Sequence, residues 1–520
     1  MKKSIRILWV DDDIDSIQKY IHFLENCNYS IDRAISGEEA IDIFKNSKFD
    51  LVITEATLTD MDSFVMLYQM KLFNEDIPSI MLTKSDDEEL MDKAISLRIN
   101  EYFFKPINPN QLIMAIKRIL FTSKIRSNRI GKKYTEFSAN LNKMISSNPC
   151  INEWMEIYQK ISKWDMLLDE VNEENLKQTL FLEKRHCNNC FSQFVEKEYH
   201  KWLSTNTRPT MSFDIVSQYI MPQLEEDKTV YFIVIDCLRY DQYLSIEPFI
   251  KKFFDIEFHM YCSILPTATP YSRNSLFSGL LPDDIAKRFP EYWTDSVDSD
   301  NSRNRNEHQL LDELLEDLGH TLNPSSKYIK IYNMEEGNYV LRKIDSYKHE
   351  RMVVLVYNFL DLITHYRSKE QLLEELIPDE EAFRSITKHW FMNSALYQAI
   401  KLISKQDNAV IVLTTDHGSI KVNRAAQVLG DRSSTLTLRY KEGKNLTCNE
   451  KHCMFAKKPK DLGLPQRTII DNYIFAKDDY YFIYPNAYHQ YQKQFNGSFQ
   501  HGGISMEEML LPLAICKPRR

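Results

Sequence analysis

The fold of the larger part of this chain is decided by one stretch, Lys228-Thr-Val-Tyr-Phe-Ile-Val-Ile-Asp-Cys-Leu-Arg239. Its apolar run, Val230–Ile235, is rich in β-branched and aromatic side chains and ends directly before Asp236. A continuous apolar run of this length predicts a strand that is buried on both faces, as in parallel sheets covered by helices. Polar residues that follow such a strand lie at the carboxyl edge of the sheet, where α/β proteins bind their ligands.

Four more buried-strand patterns follow downstream, with helical periodicity between them: Tyr328–Tyr332, Met352–Tyr357, Ala409–Leu413 and Leu510–Ile515. This alternation predicts an α/β domain over residues 228–520. Residues 123–227 show helical periodicity without a strand pattern, and glycine is absent from Lys132 to Ser278. We therefore expect a helical domain there.

The first 122 residues repeat the alternation in shorter units. Five strand patterns are separated by amphipathic helical segments: Ile5–Val10, Ser30–Ala34, Leu51–Thr54, Ser79–Thr83 and Glu101–Phe104. They predict a doubly wound parallel sheet of five strands. The expected domains are thus residues 1–122, 123–227 and 228–520.

The composition limits the class of protein. The chain has 12 glycines in 520 residues, about a third of the usual share of roughly 7%, which excludes collagen-like and linker-rich architectures. The net charge of −9 argues against broad non-specific nucleic-acid binding, which needs a basic surface. No apolar run is long enough to insert into a membrane, and the opening Met1–Asp13 does not have the pattern of a signal peptide. With nine cysteines, we expect a cytoplasmic protein with reduced thiols.

The strand ends of the N-terminal domain bring several chemically active groups to one edge of the sheet. Asp11 and Asp12 follow the first strand, and Glu55, Thr83 and Lys105 follow the third, fourth and fifth. Carboxylates in this place suit Mg²⁺, a hard cation that prefers oxygen ligands. A threonine and a lysine beside them are suited to phosphoryl oxygens.

This domain resembles the receiver domain of two-component response regulators. The residues that match in order and spacing are Asp11, Asp12, Thr83, Tyr102 and Lys105 before Pro106. The resemblance implies a sensor histidine kinase as a partner.

Glu55 departs from the receiver pattern, because receivers carry the phospho-accepting aspartate at this position. Its carboxylate extends about an ångström further, and in-line phosphoryl transfer is sensitive to such a displacement. Two interpretations lead: the domain is fixed in a state that mimics phosphorylation, or it is a silent dimerisation module. Ordinary switching by phosphorylation ranks third.

The C-terminal domain carries a larger set of potential metal ligands near predicted strand ends, namely Asp236, Asp361, His365, Asp416, His417 and His501. Mixed carboxylate and imidazole groups are typical of Zn²⁺ and Mn²⁺ sites. Six such groups are enough for two sites. Paired metal ions stabilise the attacking and leaving oxygens of a phosphoryl displacement.

The stretch Pro266–Gly279 supplies candidate nucleophiles. A metal ion bound to the hydroxyl of Thr269 would lower the pKa of that hydroxyl. The other nearby hydroxyls belong to Ser263, Thr267 and Ser272. Arg273 and Asn274 have two interpretations: they bind the transferred phosphoryl group, or they are ordinary surface residues.

These motifs, taken in order, resemble the alkaline phosphatase superfamily and within it the PglZ branch. The matching elements are Asp236, Thr269 with Gly279 ten residues later, Asp361-x-x-x-His365, Asp416-His417-Gly418 and His501-Gly502-Gly503. The spacing to Gly279 favours Thr269 over the other hydroxyls. The resemblance implies two zinc ions, one bound by Asp236, Thr269, Asp416 and His417 and the other by Asp361, His365 and His501. It also implies phosphodiesterase activity with Thr269 as nucleophile.

The whole chain resembles a family of response regulators that serve type IX secretion in Bacteroidetes, because a receiver, a helical segment and a PglZ-type domain follow one another. That resemblance implies a homodimer, a sigma factor partner and nucleotide or oligonucleotide substrates. The alternative, from another functional class, is a non-catalytic regulator. Its metal sites would build a surface that binds a sigma factor or a secretion component.

Overall fold

The computed structural model describes residues 5–519 apart from residues 75, 85–92, 95–96, 98, 172, 206, 227, 294–303, 321, 323–325, 432–434, 436 and 487, and it gives no side-chain description for residues 14 and 121–128. Two compact units make up the chain, Met1–Glu136 and Phe137–Arg520. In the part of the chain that is described, none of the helices combines the length and the apolar character needed to cross a membrane.

The first unit is built on a five-stranded parallel sheet in the order β2-β1-β3-β4-β5. Its strands are β1 (Ile5–Val10), β2 (Tyr29–Ala34), β3 (Leu51–Glu55), β4 (Ser79–Thr83) and β5 (Glu101–Phe104), and the helices around them include α1 (Ile14–Asn26), α2 (Gly37–Asn46), α3 (Ser63–Phe73) and α4 (Pro109–Ser146), which continues into the second unit along the chain. The predicted strands are confirmed to within one residue at each end. Apolar clusters cover the sheet on both faces.

The order of this sheet places two acidic residues side by side. Strand β1 pairs with both β2 and β3, and Val10 lies opposite Thr54. Asp11 and Glu55 are therefore neighbours at the carboxyl edge, where the chain changes direction across the sheet.

The second unit begins with the helices of the middle segment. These are α5 (Ile151–Val171), α6 (Glu174–Ser204) and α7 (Met221–Glu225), with a short 3₁₀ turn at Ser212–Asp214 and a π-helical turn at Val216–Ile220. Helix α6 buries residues at three- and four-residue intervals along one face. This spacing is the expected pattern for a helix that packs against other elements along its length.

The centre of the second unit is a six-stranded sheet in the order β7-β19-β10-β6-β9-β8. Its strands are β6 (Thr229–Ile235), β7 (Phe254–Cys262), β8 (Lys327–Ile331), β9 (Met352–Tyr357), β10 (Ala409–Thr414) and β19 (Leu510–Pro518). Strands β8, β9, β6 and β10 are parallel, whereas β19 runs antiparallel to β10 and to β7. Strand β6, which contains Val230–Ile235, is completely buried between its two neighbours, as the apolar run predicts.

The other described helices of the second unit follow β6 along the chain. They are α8 (Tyr240–Ile250), α9 (Thr269–Ser278), α10 (Pro282–Arg288), α11 (Glu307–Asp317), α12 (Met334–Lys343), α13 (Phe359–Arg367), α14 (Gln371–Leu376), α15 (Glu380–Asn393), α16 (Ala395–Ile403), α17 (Tyr488–Phe495) and α18 (Met506–Met509), with 3₁₀ turns at Ile344–His349 and Pro459–Leu462.

Short strands between β10 and β19 form three small sheets that the sequence did not predict. They are β11 (Ile420–Lys421) with β18 (Phe499–Gln500), β14 (Thr447–Cys448) with β12 (Arg424–Leu429) and β17 (Tyr480–Ile483), and β13 (Tyr440–Lys444) with β16 (Asp471–Ala476) and β15 (Cys453–Ala456). Strand β7 was also missed. It lies at the edge of the sheet, and only three of its residues, Phe254, Tyr261 and Cys262, are buried, so it lacks the continuous apolar run that marks the central strands.

Candidate functional site

Three neighbouring strands bring three aspartates to one edge of the six-stranded sheet. Asp236 directly follows the central strand β6, Asp416 follows β10, and Asp361 lies in the first turn of α13 after β9. Parallel neighbours in register end together, so these carboxylates meet although they lie far apart in the sequence.

A first set of ligand atoms comes from Asp361, His365 and His501. Asp361 Oδ1 lies 3.4 Å from the Nε2 atom of each histidine, and the two Nε2 atoms are 3.2 Å apart. A tetrahedral ion with ligand bonds of about 2.0–2.1 Å separates its ligand atoms by about 3.3–3.4 Å. The three atoms therefore have the spacing of three corners of a tetrahedral metal site.

A second set contains Asp236, Asp416, His417 and Thr269. Nε2 of His417 lies 2.9 Å from Thr269 Oγ1, 3.5 Å from Asp236 Oδ1 and 3.8 Å from Asp416 Oδ2. His417 also has a ligand atom within 4.8 Å of those of Asp361 and His501, and its ring stacks on that of His501 with centroids 4.2 Å apart. The two sets adjoin at His417, and the sequence-predicted ligands form one continuous centre.

The carboxylates of this centre suit a bound cation. Asp236 Oδ1, Asp361 Oδ1 and both carboxylate oxygens of Asp416 are buried without a hydrogen-bond partner among the described residues. Buried carboxylate oxygens are costly unless they are paired or coordinate metal ions. Because the same oxygens face the imidazole nitrogens, the donor set fits divalent metal ions with mixed oxygen and nitrogen ligands.

The pKa values in this centre follow from burial and mutual repulsion. Burial, assisted by the charge of Asp236, raises the pKa of Asp361 to about 6. Burial and the same neighbour raise the pKa of Asp416 well above its usual value. Burial alone would raise the pKa of Asp236, but the Arg273 guanidinium, His417 and Asp416 together outweigh burial and lower that pKa. Burial and the neighbouring histidines lower the pKa of His501, so its imidazole is neutral, as a metal ligand must be.

Backbone carbonyl groups orient two of the imidazole rings. Nδ1 of His417 lies 3.1 Å from the carbonyl oxygen of Gly418, and Nδ1 of His501 lies 3.3 Å from that of Thr267. These contacts assign the proton to Nδ1 and leave the lone pair on Nε2 directed into the centre. Metal-binding histidines use this arrangement to fix their tautomer.

Thr269 is the hydroxyl residue that faces the ligands. It is the first residue of α9, whereas Ser263 bonds to the carbonyl oxygen of Asp416, Thr267 to that of Gly503 and Ser272 to that of Ala268. Backbone acceptors thus engage the three alternative hydroxyls.

Arg273 and Asn274 are buried, so the interpretation that they are ordinary surface residues is wrong. Helix α9 carries both into the core. Nη1 of Arg273 lies 2.6 Å from Asp236 Oδ2, and its Nε lies 2.7 Å from Glu307 Oε1. Asn274 donates to the carbonyl oxygen of Pro270. Arg273 thereby fixes Oδ2 of Asp236, while the other carboxylate oxygen, Oδ1, faces His417.

Three residues that contact this cluster were not predicted from the sequence. Glu307 binds Arg273, Asn358 accepts a hydrogen bond from Arg273 at 3.2 Å, and Asn304 donates to the Thr269 carbonyl oxygen at 3.0 Å. Asn358 directly follows β9, so the strand-end rule that selected Asp236 would also have found it. Glu307 and Asn304 follow no strand, and their contacts arise from packing alone.

The receiver site is assembled around Lys105. Its Nζ lies 2.7 Å from Asp11 Oδ2 and 2.5 Å from Glu55 Oε2, and all three side chains are largely buried. Burial alone would lower the pKa of Lys105, but hydrogen bonds to Asp11 and Glu55 raise it. Burial is also the main cause of the raised pKa of Glu55. The amino group that would contact a phosphoryl group is therefore already paired with Glu55.

The remaining receiver residues lie at the same edge of the sheet or on the strand beside it. Asp12 is exposed, and one of its oxygens lies within 4.8 Å of oxygens of Asp11 and Glu55, which makes this group a candidate Mg²⁺ site. Thr83 is fully buried at the end of β4. Tyr102 is half-buried on β5, and its hydroxyl has no hydrogen-bond partner in the described part of the chain.

Family models match three consecutive parts of the chain. Residues 7–117 match the response regulator receiver domain, residues 124–203 match the PorX response regulator linker domain, and residues 215–515 match the BREX system PglZ alkaline phosphatase-like domain. The last match covers more than half of the chain.

Curated relatives and solved structures each match about a quarter of the chain. The Arabidopsis thaliana response regulator ARR10 is 28% identical over 24% of this chain and 23% of its own length. The Cyanidium caldarium regulator ycf27 is 33% identical over 23% of this chain and 47% of its own. A CheY-like receiver from Methanospirillum hungatei is 28% identical, with 22% of this chain and 93% of that chain covered and a TM-score of 0.22. The chain thus spans less than half the length of either curated relative.

The cluster of candidate metal ligands and the three consecutive matches agree on one architecture. A receiver precedes a PorX-type linker segment and an alkaline phosphatase-like domain. The chain belongs to the PglZ family, as a response regulator of the PorX-like type in which a receiver is fused to a PglZ domain.

Proposed function

We propose that the C-terminal domain is a zinc-dependent phosphodiesterase that cleaves nucleotide or oligonucleotide phosphodiesters with Thr269 as its nucleophile. The observation that carries this proposal is the place of the Thr269 hydroxyl. It lies 2.9 Å from Nε2 of His417, where the two sets of ligand atoms adjoin and where buried carboxylate oxygens have no hydrogen-bond partner among the described residues.

The proposed division of the ligands between two ions is the one that the family resemblance implies. Asp236, Thr269, Asp416 and His417 would bind one ion, and Asp361, His365 and His501 the other. When bound, such ions lower the pKa of coordinated hydroxyl groups and stabilise negative charge on phosphoryl oxygens.

The residues of the chain supply position and charge. Oγ1 of Thr269 releases its proton to solvent and forms a bond to phosphorus while the bond from phosphorus to the leaving oxygen breaks, and the leaving oxygen takes up a proton. The oxygen of a water molecule then bonds to phosphorus and the bond to Oγ1 breaks, so that Oγ1 takes up a proton and the hydroxyl is regenerated. Thr269 opens helix α9, whose N-terminal N–H groups and dipole favour an anionic group at this end. Arg273 keeps Asp236 in place through a contact of 2.6 Å.

We further propose that the receiver acts without phosphoryl transfer to Glu55. The contact between Lys105 and Glu55 supports the interpretation that the domain is fixed in a state that mimics phosphorylation, with Mg²⁺ retained at Asp11 and Asp12. The PorX-type linker supports a role in type IX secretion. A homodimer in the cytoplasm, with a sensor kinase and a sigma factor as partners, belongs to the same proposal.

The proposal is tested by hydrolysis of bis(p-nitrophenyl) phosphate with Thr269→Ala, Thr269→Ser and Ser272→Ala. We expect Thr269→Ala to lower kcat by about 1,000-fold or more, since it removes the nucleophile. Thr269→Ser should retain part of the activity. Ser272→Ala is the matched control, because its hydroxyl lies on the same helix and bonds to the Ala268 carbonyl oxygen.

Metal content measured on the same samples separates catalysis from a regulatory role. We expect about two zinc ions per chain in the wild type, and about one after Asp361→Asn. If wild type and Thr269→Ala are equally inert at full metal occupancy, the non-catalytic regulator becomes the better account.

A further inference from the structure

Helix α6 of the middle segment contacts the catalytic part of the second unit at two points. Asn188 and Tyr199 make these contacts, and both side chains are buried. They are eleven residues apart, which is about three helical turns, so they lie on the same face of the helix. That face is directed toward the segments before Thr269 and after His501.

Tyr199 contacts the segment that leads to the proposed nucleophile. Its hydroxyl oxygen accepts a hydrogen bond from the backbone N–H of Leu265 at 2.8 Å, and the tyrosine is fully buried. Leu265 lies four residues before Thr269. Buried N–H groups need a hydrogen-bond partner. By accepting from Leu265, Tyr199 therefore fixes the backbone segment that positions the Thr269 hydroxyl.

Asn188 contacts the segment that follows the last proposed ligand. Its Oδ1 accepts from the backbone N–H of Met506 at 2.8 Å, and its Nδ2 donates to Glu507 Oε2 at 2.8 Å. Lys184, one turn earlier on α6, lies 3.3 Å from Glu507 Oε1. The amide side chain of Asn188 thus both accepts a hydrogen bond from, and donates one to, the turn that begins five residues after His501.

The turn bound by Asn188 abuts the residue after His417. A Cβ atom on Gly418 would lie 2.0 Å from the carbonyl oxygen of Glu507, and the N–H of Gly418 donates to the carbonyl oxygen of Glu508 at 3.2 Å. A shift of Glu507 would therefore move Gly418, and with it the His417 ring.

Thr267 connects the two segments to each other. Its hydroxyl donates to the carbonyl oxygen of Gly503 at 2.8 Å and accepts from the N–H of Gly502 at 3.1 Å. Its own carbonyl oxygen contacts Nδ1 of His501 at 3.3 Å. Tyr199 and Asn188 thus anchor the two sides of one hydrogen-bonded frame that carries Thr269, His417 and His501.

We propose that Asn188 and Tyr199 are positioning residues of the metal centre, through which helix α6 sets the distance between the nucleophile and its ligands. The middle segment therefore helps to position the residues of the catalytic centre. A displacement of α6 changes metal binding and turnover. This inference rests on the proposed phosphodiesterase function for its kinetic consequence, but its structural consequence is independent of substrate.

The test uses the full chain with Tyr199→Phe and Asn188→Ala. Tyr158→Phe is the matched control for the first, because the Tyr158 hydroxyl is also buried in the middle segment but has no hydrogen-bond partner among the described residues. Asn189→Ala is the control for the second, since Asn189 neighbours Asn188 and its side chain contacts Gln193 on the same helix.

Three quantities are measured: zinc affinity by competition with a chelator, backbone hydrogen exchange in residues 263–269 and 501–509, and kcat and KM for bis(p-nitrophenyl) phosphate. We expect each test variant to lose about 10- to 100-fold in zinc affinity or kcat. Exchange should rise in 263–269 for Tyr199→Phe and in 501–509 for Asn188→Ala. KM should change far less than kcat, because neither side chain contacts substrate.

Two distinct outcomes would overturn the positioning role and the proposed function separately. Zinc affinity, exchange and kcat equal to those of the control variants would refute the positioning role. A wild type that binds zinc and shows the expected exchange changes on substitution, but hydrolyses no phosphodiester, would refute the proposed function and leave the positioning role intact.

Discussion

Glu55 shows how one methylene group changes the chemistry of a receiver site. Its carboxylate reaches Lys105 at 2.5 Å while Lys105 also contacts Asp11 at 2.7 Å. The pair neutralises a buried lysine and a buried glutamate together, which costs less than burying either charge alone. A phosphoryl group on Glu55 would have to displace this contact.

We expect Glu55→Asp to make the receiver phosphorylatable by acetyl phosphate, because the shorter side chain returns the carboxylate to the position that in-line transfer requires. Intact-mass measurement should show a phosphate adduct on the variant and none on the wild type. Glu55→Gln is the control, since it keeps the length and removes the nucleophilic oxygen. A stoichiometric adduct on Glu55 of the wild type would refute a receiver that acts without phosphorylation.

Within the second unit, the charge of Glu380 links helix α6 of the middle segment to Arg239, which follows strand β6. Its carboxylate lies 2.7 Å from Lys184 Nζ and 3.2 Å from Arg239 Nη1. Burial alone would raise its pKa, but these cations lower it to about 2. The stabilisation is therefore fully present above the unfolded-state pKa, near 4.5, and is lost as the pH falls toward 2.

We expect Glu380→Gln to lower the free energy of unfolding of the second unit by roughly 2–3 kcal/mol at pH 7. The difference from wild type should narrow once the pH falls below about 4.5, as measured by urea unfolding at several pH values. Glu381→Gln is the neighbouring control, because Glu381 is 47% exposed and pairs with Lys177, where about 1 kcal/mol or less is expected. A pH-independent difference would contradict the assigned cause.

At the scale of elements, strand ends account for the three aspartates and for His417, whereas His365 lies within helix α13 and His501 directly follows the short strand β18. The buried strands β6, β9 and β10 are recognisable from their apolar runs, so the positions of Asp236, Asp361 and Asp416 could be predicted. The place of His501 depends on the turns between β18 and β19, where no periodic pattern exists. Its approach to His365, 136 residues away in the chain, was predicted only through the family resemblance.

Gly418 is the position where close packing of two elements demands glycine. We expect Gly418→Ala to reduce zinc affinity by about 10- to 100-fold and to destabilise the second unit by roughly 3 kcal/mol, because a Cβ atom would lie 2.0 Å from the Glu507 carbonyl oxygen. Chelator competition and urea unfolding measure both effects.

Gly131→Ala is the matched control for this substitution. Gly131 lies within α4, and an added Cβ would meet nothing within 4 Å among the described residues. Alanine favours helix by roughly 0.5–1 kcal/mol over glycine, so this variant should be slightly stabilised with unchanged zinc affinity. Equal behaviour of the two variants would contradict the close-packing explanation.

At the scale of the whole molecule, the two compact units should respond differently to metal removal. The carboxylates of the candidate metal centre belong to Phe137–Arg520, and the receiver belongs to Met1–Glu136. A ligand that binds the folded state at a hundredfold excess over its Kd stabilises that state by about 2.7 kcal/mol. Metal binding should therefore stabilise the second unit selectively.

We expect calorimetry to show two thermal transitions, one for each unit. A chelator should lower the midpoint temperature of the second unit's transition by at least about 5 °C. The receiver transition should not move. Asp416→Asn assigns the transitions, since it removes a proposed ligand and should reduce the effect of the chelator. A uniform shift of both transitions, or none, would contradict metal binding confined to the second unit.

The sequence by itself determined the elements whose signal is local. Apolar runs and helical periodicity extend over a few residues, so they revealed the five receiver strands, the helical middle segment and the parallel strands that align Asp236, Asp361 and Asp416. The tertiary structure alone decided the contacts of Arg273 with Glu307, of Tyr199 with Leu265 and of Asn188 with Met506 and Glu507. These contacts join residues distant in the chain through loops without periodicity, and their partners are set by how the elements pack rather than by neighbours in the sequence.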